Sequence, residues 1–279
     1  MESHNVRKSP FAGTWYPDDP SELASTVSHL LRSSPRSEPP GKLVALISPH
    51  AGLRYSGPVA AAGYRLIARQ AFESIVLLGP SHRVAFDALA TYPEGAFATP
   101  LGPVAVDSEL ARSFESATPR ARPMPEAHRA EHCLEMQLPF LQHLLPDARI
   151  LPVMMGTQSA RNIEAAASAM VRAVSASTYR VLLVASSDLS HYESRDRARA
   201  LDSEVRARIE RFDSRGLADL LEEERGHACG GGPIVAVMMA ARELGASASR
   251  ILAYGDSGDV SGETDAVVGY LSAALYGAA

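Results

Sequence analysis

"VLLVASSDLSHYES" (residues 181–194) starts as an apolar run and ends in a knot of polar groups. Val181 to Ala185 read as a buried β-strand, because both alternating faces of the run are apolar. Ser186, Ser187, Asp188, Ser190, His191 and Tyr192 follow at once. Two other apolar runs end in the same way. "LVALISPHAG" (43–52) closes on Ser48, Pro49 and His50, and "SIVLLGPSHR" (74–83) closes on Pro80, Ser81 and His82. In an open parallel sheet, ligands bind at the carboxyl ends of the strands. Three distant segments can therefore bring His50, His82 and His191 to one crevice. The prolines stiffen the turns and limit where the imidazoles point.

Around these runs the chain alternates. Further apolar runs lie at Arg149–Met155, Arg250–Tyr254 and Ala266–Ser272. Helical patterns lie at Pro20–Leu31, Pro58–Arg69, Asp107–Ser116, His132–Leu145, Ala160–Ser175, Glu193–Phe212 and Pro233–Leu244. This alternation predicts an α/β fold with a mainly parallel central sheet and helices on both faces. Leu89–Tyr92 and Val104–Val106 are expected to pair as a small antiparallel excursion. SSPRSEPPG, ending at Gly41, is a polar proline-rich loop. No composition break marks a second domain, so residues 1–279 are expected to form one domain.

Composition excludes several classes of function. The 279 residues are 46% hydrophobic, with a formal net charge of −5, and nothing in that balance attracts nucleic acid or an anionic membrane. No apolar run reaches the roughly 18 residues that span a bilayer. MESHNVRKSPF has no signal-peptide apolar region. Cys133 and Cys229 form no disulfide framework. A reduced, cytoplasmic protein is the expectation.

Two further stretches carry chemistry. In "GHACGGGPIVAVMMAA" (226–241), Gly230 to Gly232 let the backbone approach another group closely, and Pro233 suits the first turn of a helix. Cys229 lies just upstream, where a helix N-terminus favours thiolate. Two imidazoles and a thiolate make a three-ligand metal site with an open position. Zinc, iron and copper all accept imidazole, while the thiolate leans towards zinc or Cu(I). A remaining histidine serves as acid or base. In "EHCLEMQLPFL" (131–141), Leu134, Leu138 and Leu141 share an apolar helix face. Glu131 and His132, at its start, are candidates for the pocket wall. His128 reads as a solvated residue, and Cys133 as a packing one.

Taken in order, these stretches resemble the Memo family, whose bacterial and archaeal members are called AmmeMemoRadiSam system protein B. The resemblance runs through "FAGTWYP" (11–17), "SPHAGLRYSGPVAAAGY" (48–64), "LLGPSH" (77–82), "EHCLEMQLPFLQ" (131–142), "SSDLSHY" (186–192), "ACGGGPI" (228–234) and "SGDVSGETDAVVGY" (257–270). It implies a fold like that of the class III extradiol dioxygenases, which hold non-haem iron. It places His50 and His82 at the two metal-ligand histidines and Cys229 where the dioxygenases have a glutamate. It gives His191 the acid/base role, with Asp188 orienting it. Ser187 and Tyr55 join Glu131 and His132 as pocket or substrate-binding residues. Leu53-Arg54 and Cys133 depart from the usual pattern, and Arg54 bears on which substrate fits. Two functions compete: a redox enzyme with iron or copper, and a metal- or ligand-binding accessory protein with AMMECR1-like and radical-SAM partners. A zinc-type hydrolase is a third expectation, with Ser187–His191–Asp188 as its weaker triad form.

Overall fold

A computed structural model describes residues 5–35, 41–68, 70–223 and 226–278. The chain opens with β1 (Val6–Arg7), α1 (Pro20–Ser33), β2 (Leu43–Ser48), α2 (Leu53–Tyr64) and β3 (Ser74–Pro80). Next come β4 (Leu89–Thr91), β5 (Ala96–Thr99), β6 (Gly102–Ala105), α3 (Ser108–Ala117), β7 (Ala121–Pro123) and α4 (Pro125–His128). They are followed by α5 (Leu138–Leu144), β8 (Arg149–Met155), α6 (Ala160–Ala176), β9 (Val181–Ser186) and β10 (His191–Glu193). The chain ends with α7 (Arg195–Glu210), α8 (Ser214–Glu223), α9 (Gly231–Glu243), β11 (Ala248–Asp256), α10 (Gly258–Ser261) and β12 (Val267–Tyr276).

The main sheet runs β10-β12-β2-β9-β3-β8-β4-β7, with β11 paired to β12. Its centre, β2-β9-β3-β8, is parallel. Alternate residues of these strands bury against opposite layers. Val76, Leu78, Leu183 and Ala185 pack towards α3, α6, α7, α8 and α9. Ile75, Leu77, Leu182 and Val184 pack towards α1, α2 and α5. The fold is thus the expected α/β sheet with helices on both faces. The continuous apolar runs are explained, since neither face meets water.

The flanks differ from the expectation in detail. β12 is antiparallel to β2, and β4 is antiparallel to β8. An apolar run carries no direction, so the sequence leaves this open. Leu89–Tyr92 and Val104–Val106 do not pair with each other. β4 joins the main sheet, whereas β6 pairs with β5 in a separate three-stranded sheet with β1. The helix expected at Pro58 begins at Leu53, and Arg69 lies outside the described residues. α8 was not anticipated. The helix expected from His132 begins as a 3-10 turn at Glu135, so Glu131 and His132 sit in a loop. Of the proline-rich loop, residues 36–40 lie outside the described residues.

Candidate metal-binding pocket

β2 and β9 end together, with Ser48 opposite Ser186, and β3 runs beside β9 with Leu78 opposite Ala185. The loops that leave β2 and β3 therefore start from the same sheet edge. One ring nitrogen from each of His50, His82 and His132 falls within 4.8 Å of the others. The His50 ring meets those of His82 and His132 edge-on, with centroids 5.3 and 5.2 Å apart. His82 and His132 stack at 4.6 Å. Cys229 Sγ lies 3.2 Å from His50 Nε2.

The hydrogen bonds fix the tautomers. Ser186 Oγ has one proton, which it donates to the Cys133 carbonyl at 2.7 Å. It accepts from Gln137 Nε2 at 2.8 Å, and the same amide nitrogen donates to the Pro49 carbonyl at 3.0 Å. His50 Nδ1, 2.9 Å from Ser186 Oγ, must therefore be an N–H donor. His50 Nε2 is left as a lone pair facing Cys229. Burial, reinforced by His132 and His82, holds the His50 pKa well below the usual imidazole range, so the ring is neutral.

Glu131 sets the second imidazole. Its Oε1 accepts from His82 Nδ1 at 2.8 Å and its Oε2 from the His82 backbone N–H at 2.7 Å. It also accepts the backbone N–H groups of His132 and Cys133 at 2.9 and 3.2 Å. Burial alone would raise this carboxyl. The close contacts of the His132 and His82 rings prevail and hold its pKa well below the carboxylate range. His82 is thus a donor at Nδ1, and Nε2 is its nitrogen not held by Glu131. A carboxylate behind an imidazole orients metal-ligand histidines in this way.

Asp188 and Cys229 are tied to each other. Cys229 N–H donates to the Asp188 carbonyl at 3.2 Å, and Asp188 N–H points at Cys229 Sγ at 3.3 Å. Asp188 Oδ1 accepts the His50 backbone N–H at 2.7 Å. Burial raises the Asp188 pKa against these bonds. Gly230 admits no side chain, because a Cβ would come within 2.5 Å of the Ser186 carbonyl oxygen. The thiol does not show the lowered pKa expected before a helix. Burial pushes it up, and the nearby Asp188 carboxylate adds to the shift, outweighing the helix N-terminus two residues on. The S–H therefore stays protonated and faces the His50 lone pair. A bound cation would reverse that balance.

The other predicted residues fall in different places. His191 is half-buried on β10, and its Nδ1–H donates to the Leu189 carbonyl at 2.8 Å, leaving Nε2 free. Asp188 braces the His50 loop rather than hydrogen-bonding the His191 ring. Ser187 Oγ is buried, donates to the Asp188 carbonyl and accepts from Gly230 N–H, so it has no imidazole partner as a triad would need. Tyr55 is exposed at the start of α2, with the Arg54 guanidinium 5.8 Å from its ring centre. His128, expected in solvent, is buried, because its segment packs under β4 and its Nε2 donates to the Ala90 carbonyl at 3.2 Å. Cys133 is fully buried against the Pro80 carbonyl, which fits its expected packing role.

Four contributors were not anticipated. Trp15 packs on His132 with centroids 4.5 Å apart. Arg7 donates to the carbonyls of His128 and Glu131 and pairs with the Glu135 carboxylate. Ser186 and Gln137 set the His50 tautomer. Gln137 gave a signal, since it is a polar residue inside the apolar LEMQLPFL run. Arg7 gave none.

The fold and this pocket define an α/β protein with an imidazole–thiol cluster at the carboxyl edge of its parallel strands. The family model described as "Memo-like protein" matches residues 7–274. The chain is 39% identical to a MEMO1 family protein of Thermotoga neapolitana, over 97% of this chain and 99% of that one. It is 36% identical to a MEMO1 family protein of Methanopyrus kandleri, over 95% and 97%. The chain belongs to the Memo family. Its fold is similar to the crystal structure of protein JW3007 from Escherichia coli K12, with a TM-score of 0.52 at 15% identity, covering 84% of this chain and all of that one. No helix among the described residues is long and apolar enough to cross a membrane.

The donor set fits a metal ion. His50 is neutral and carries its lone pair at Nε2, the form that ligates, and His82 is anchored at Nδ1, which leaves Nε2 as its ligand nitrogen. His132 Nδ1 is buried with no hydrogen-bond partner. Nitrogen and sulfur donors suit late first-row metals rather than magnesium or calcium.

Proposed function

We propose that the pocket binds a redox-active ion, iron or copper, and oxidises a small organic substrate in the manner of the dioxygenase-like fold. The observation that carries this is the pair of Nδ1 anchors: Ser186 and Glu131 each take a Nδ1 proton and leave Nε2 of His50 and His82 as the nitrogen open to a ligand. His50 and His82 would hold the ion with Cys229 as the third donor. The ion would supply the one-electron chemistry that these side chains lack.

The remaining residues act around it. Glu131 keeps His82 in register, and Asp188 keeps the His50 loop closed on the Cys229 loop. The free Nε2 of half-buried His191 takes or gives a proton to a substrate entering from solvent. Trp15 shields the far side of His132 from water. Tyr55 and Arg54, outside the cluster, would act on specificity at the mouth.

The experiment is anaerobic metal analysis of freshly purified protein, with His50→Ala and Cys229→Ser alongside. Near-stoichiometric iron or copper, lost in both variants, together with metal-dependent O₂ consumption, is the expected result. Stoichiometric zinc instead would move the proposal to a hydrolase with His191 as base. No metal after reconstitution would leave the accessory role, with AMMECR1-like or radical-SAM partners tested by pulldown.

A further inference from the structure

We infer that His132 is a metal ligand beside His50 and His82, so that the centre is a three-imidazole site with the Cys229 thiol as its fourth donor. This rests on the metal-binding proposal above and changes its ligand set.

The grouping is geometric. The nitrogens of His50, His82 and His132 lie within 4.8 Å of one another. Imidazole nitrogens sit about 2.0–2.1 Å from a bound ion, so small ring movements close the set. His132 also has an unmet need. Its Nδ1 is buried and unpartnered, although Glu131 Oε1 lies 3.1 Å away, off the axis of a hydrogen bond. Glu131 Oε1 is already occupied by His82 Nδ1 and two backbone N–H groups. A buried imidazole nitrogen without a partner is costly, and a metal ion taken at that nitrogen would supply the partner.

The ring cannot turn away to solve this. His82 covers one side at 4.6 Å, Trp15 packs at 4.5 Å and Phe11 meets it edge-on at 5.8 Å. The aromatic pair from the N-terminal segment thus holds His132 against His50 and His82. Cys229 Sγ lies 3.2 Å from His50 Nε2 and outside the three-imidazole grouping, from where it would join as the fourth donor on metal binding. Three imidazoles and one thiolate are the donors of a four-coordinate late first-row ion.

The test uses the full chain, stripped of metal and titrated anaerobically with Co(II). Wild type is compared with Cys229→Ser and His132→Phe, since Phe keeps the packing on Trp15 and Phe11 but has no nitrogen. Wild type should bind one Co(II) with a near-ultraviolet thiolate charge-transfer band and strong four-coordinate visible bands. Cys229→Ser should lose the charge-transfer band and bind Co(II) too weakly to keep metal through purification. His132→Phe should weaken binding by about tenfold or more and lose visible-band intensity. A folded His132→Phe protein with wild-type affinity and spectrum would overturn the assignment while leaving the metal proposal standing. If that variant does not fold, X-ray absorption of the wild-type Co(II) form decides: three imidazoles and one sulfur support the assignment, and two imidazoles refute it. Wild-type protein that takes up no Co(II), iron or copper overturns the metal proposal and this inference with it.

Discussion

The segment from His128 to Glu135 carries two histidines and two glutamates, each pair four residues apart, and its two sides do opposite work. His128 and Glu135 turn towards the N-terminal strand. Glu135 is fully buried and meets Arg7, Tyr16 and Ser9, with contacts of 2.5 Å each. His128 donates to the Ala90 carbonyl. Glu131 and His132 turn towards His82 and meet the imidazole cluster. The residue types are the same. The difference lies in what each meets: a fixed cation and a carbonyl on one side, other imidazoles on the other. An orphaned Nδ1 is common to His128 and His132, so the sides differ in their company: one is a buttress around a fixed cation, and the other gathers three imidazoles. Arg7 joins the two, because it grips the carbonyls of both His128 and Glu131.

The comparison breaks most sharply at Arg7. Arg7→Ala leaves the Glu135 carboxylate buried without its partner, which should cost about 3–5 kcal/mol in urea unfolding. A loss below about 1 kcal/mol, the range of an exposed pair, would mean the buttress is not one.

Acid should act next, and on the buttress side. Burial pulls the His128 pKa down to about 3, so the folded state holds this ring neutral while the unfolded chain protonates near 6.5. Its contribution is complete above about pH 6.5 and is lost as the pH falls towards 3, at about 1.4 kcal/mol per unit. His50 is shifted the same way and shares this limb. His128→Phe should flatten the acid limb of stability by one group's slope, and an unchanged slope would contradict the buried neutral ring.

On the other side, Glu131→Gln removes the anion behind His82. Metal affinity should fall about 10- to 100-fold, read by competition with a chelator, while the far-ultraviolet dichroism stays as in wild type. The smallest effect sharpens the contrast: His128→Phe should leave metal stoichiometry and affinity unchanged. A metal loss there would show that the two sides are not separable.

Much of the site was legible because strand ends are legible. His50, His82 and His191 each follow an apolar run, and parallel strands bring such ends to one edge. Cys229 was legible through its glycines, which only a close backbone approach requires. Glu131 and His132 were placed at the pocket, but on a helix, whereas they sit in a loop whose carbonyls Arg7 holds. His128 was misread as solvated, because its spacing from His132 suggested a helix face. Tyr55, a pocket residue by resemblance, is exposed at the start of α2.

The sequence by itself determined the α/β layers, the central strands and the three histidine-bearing ends, since these follow from apolar runs and their punctuation. The tertiary structure alone decided strand direction at the flanks, the burial of His128, the tautomer of His50 and the anchoring of His82 Nδ1 on Glu131. It also decided that the Cys229 thiol stays protonated. These depend on which groups face one another across 49 to 179 positions of chain, as in His82 with Glu131 and His50 with Cys229. A proton's position is set by the partner across such a gap, and local pattern carries no trace of it.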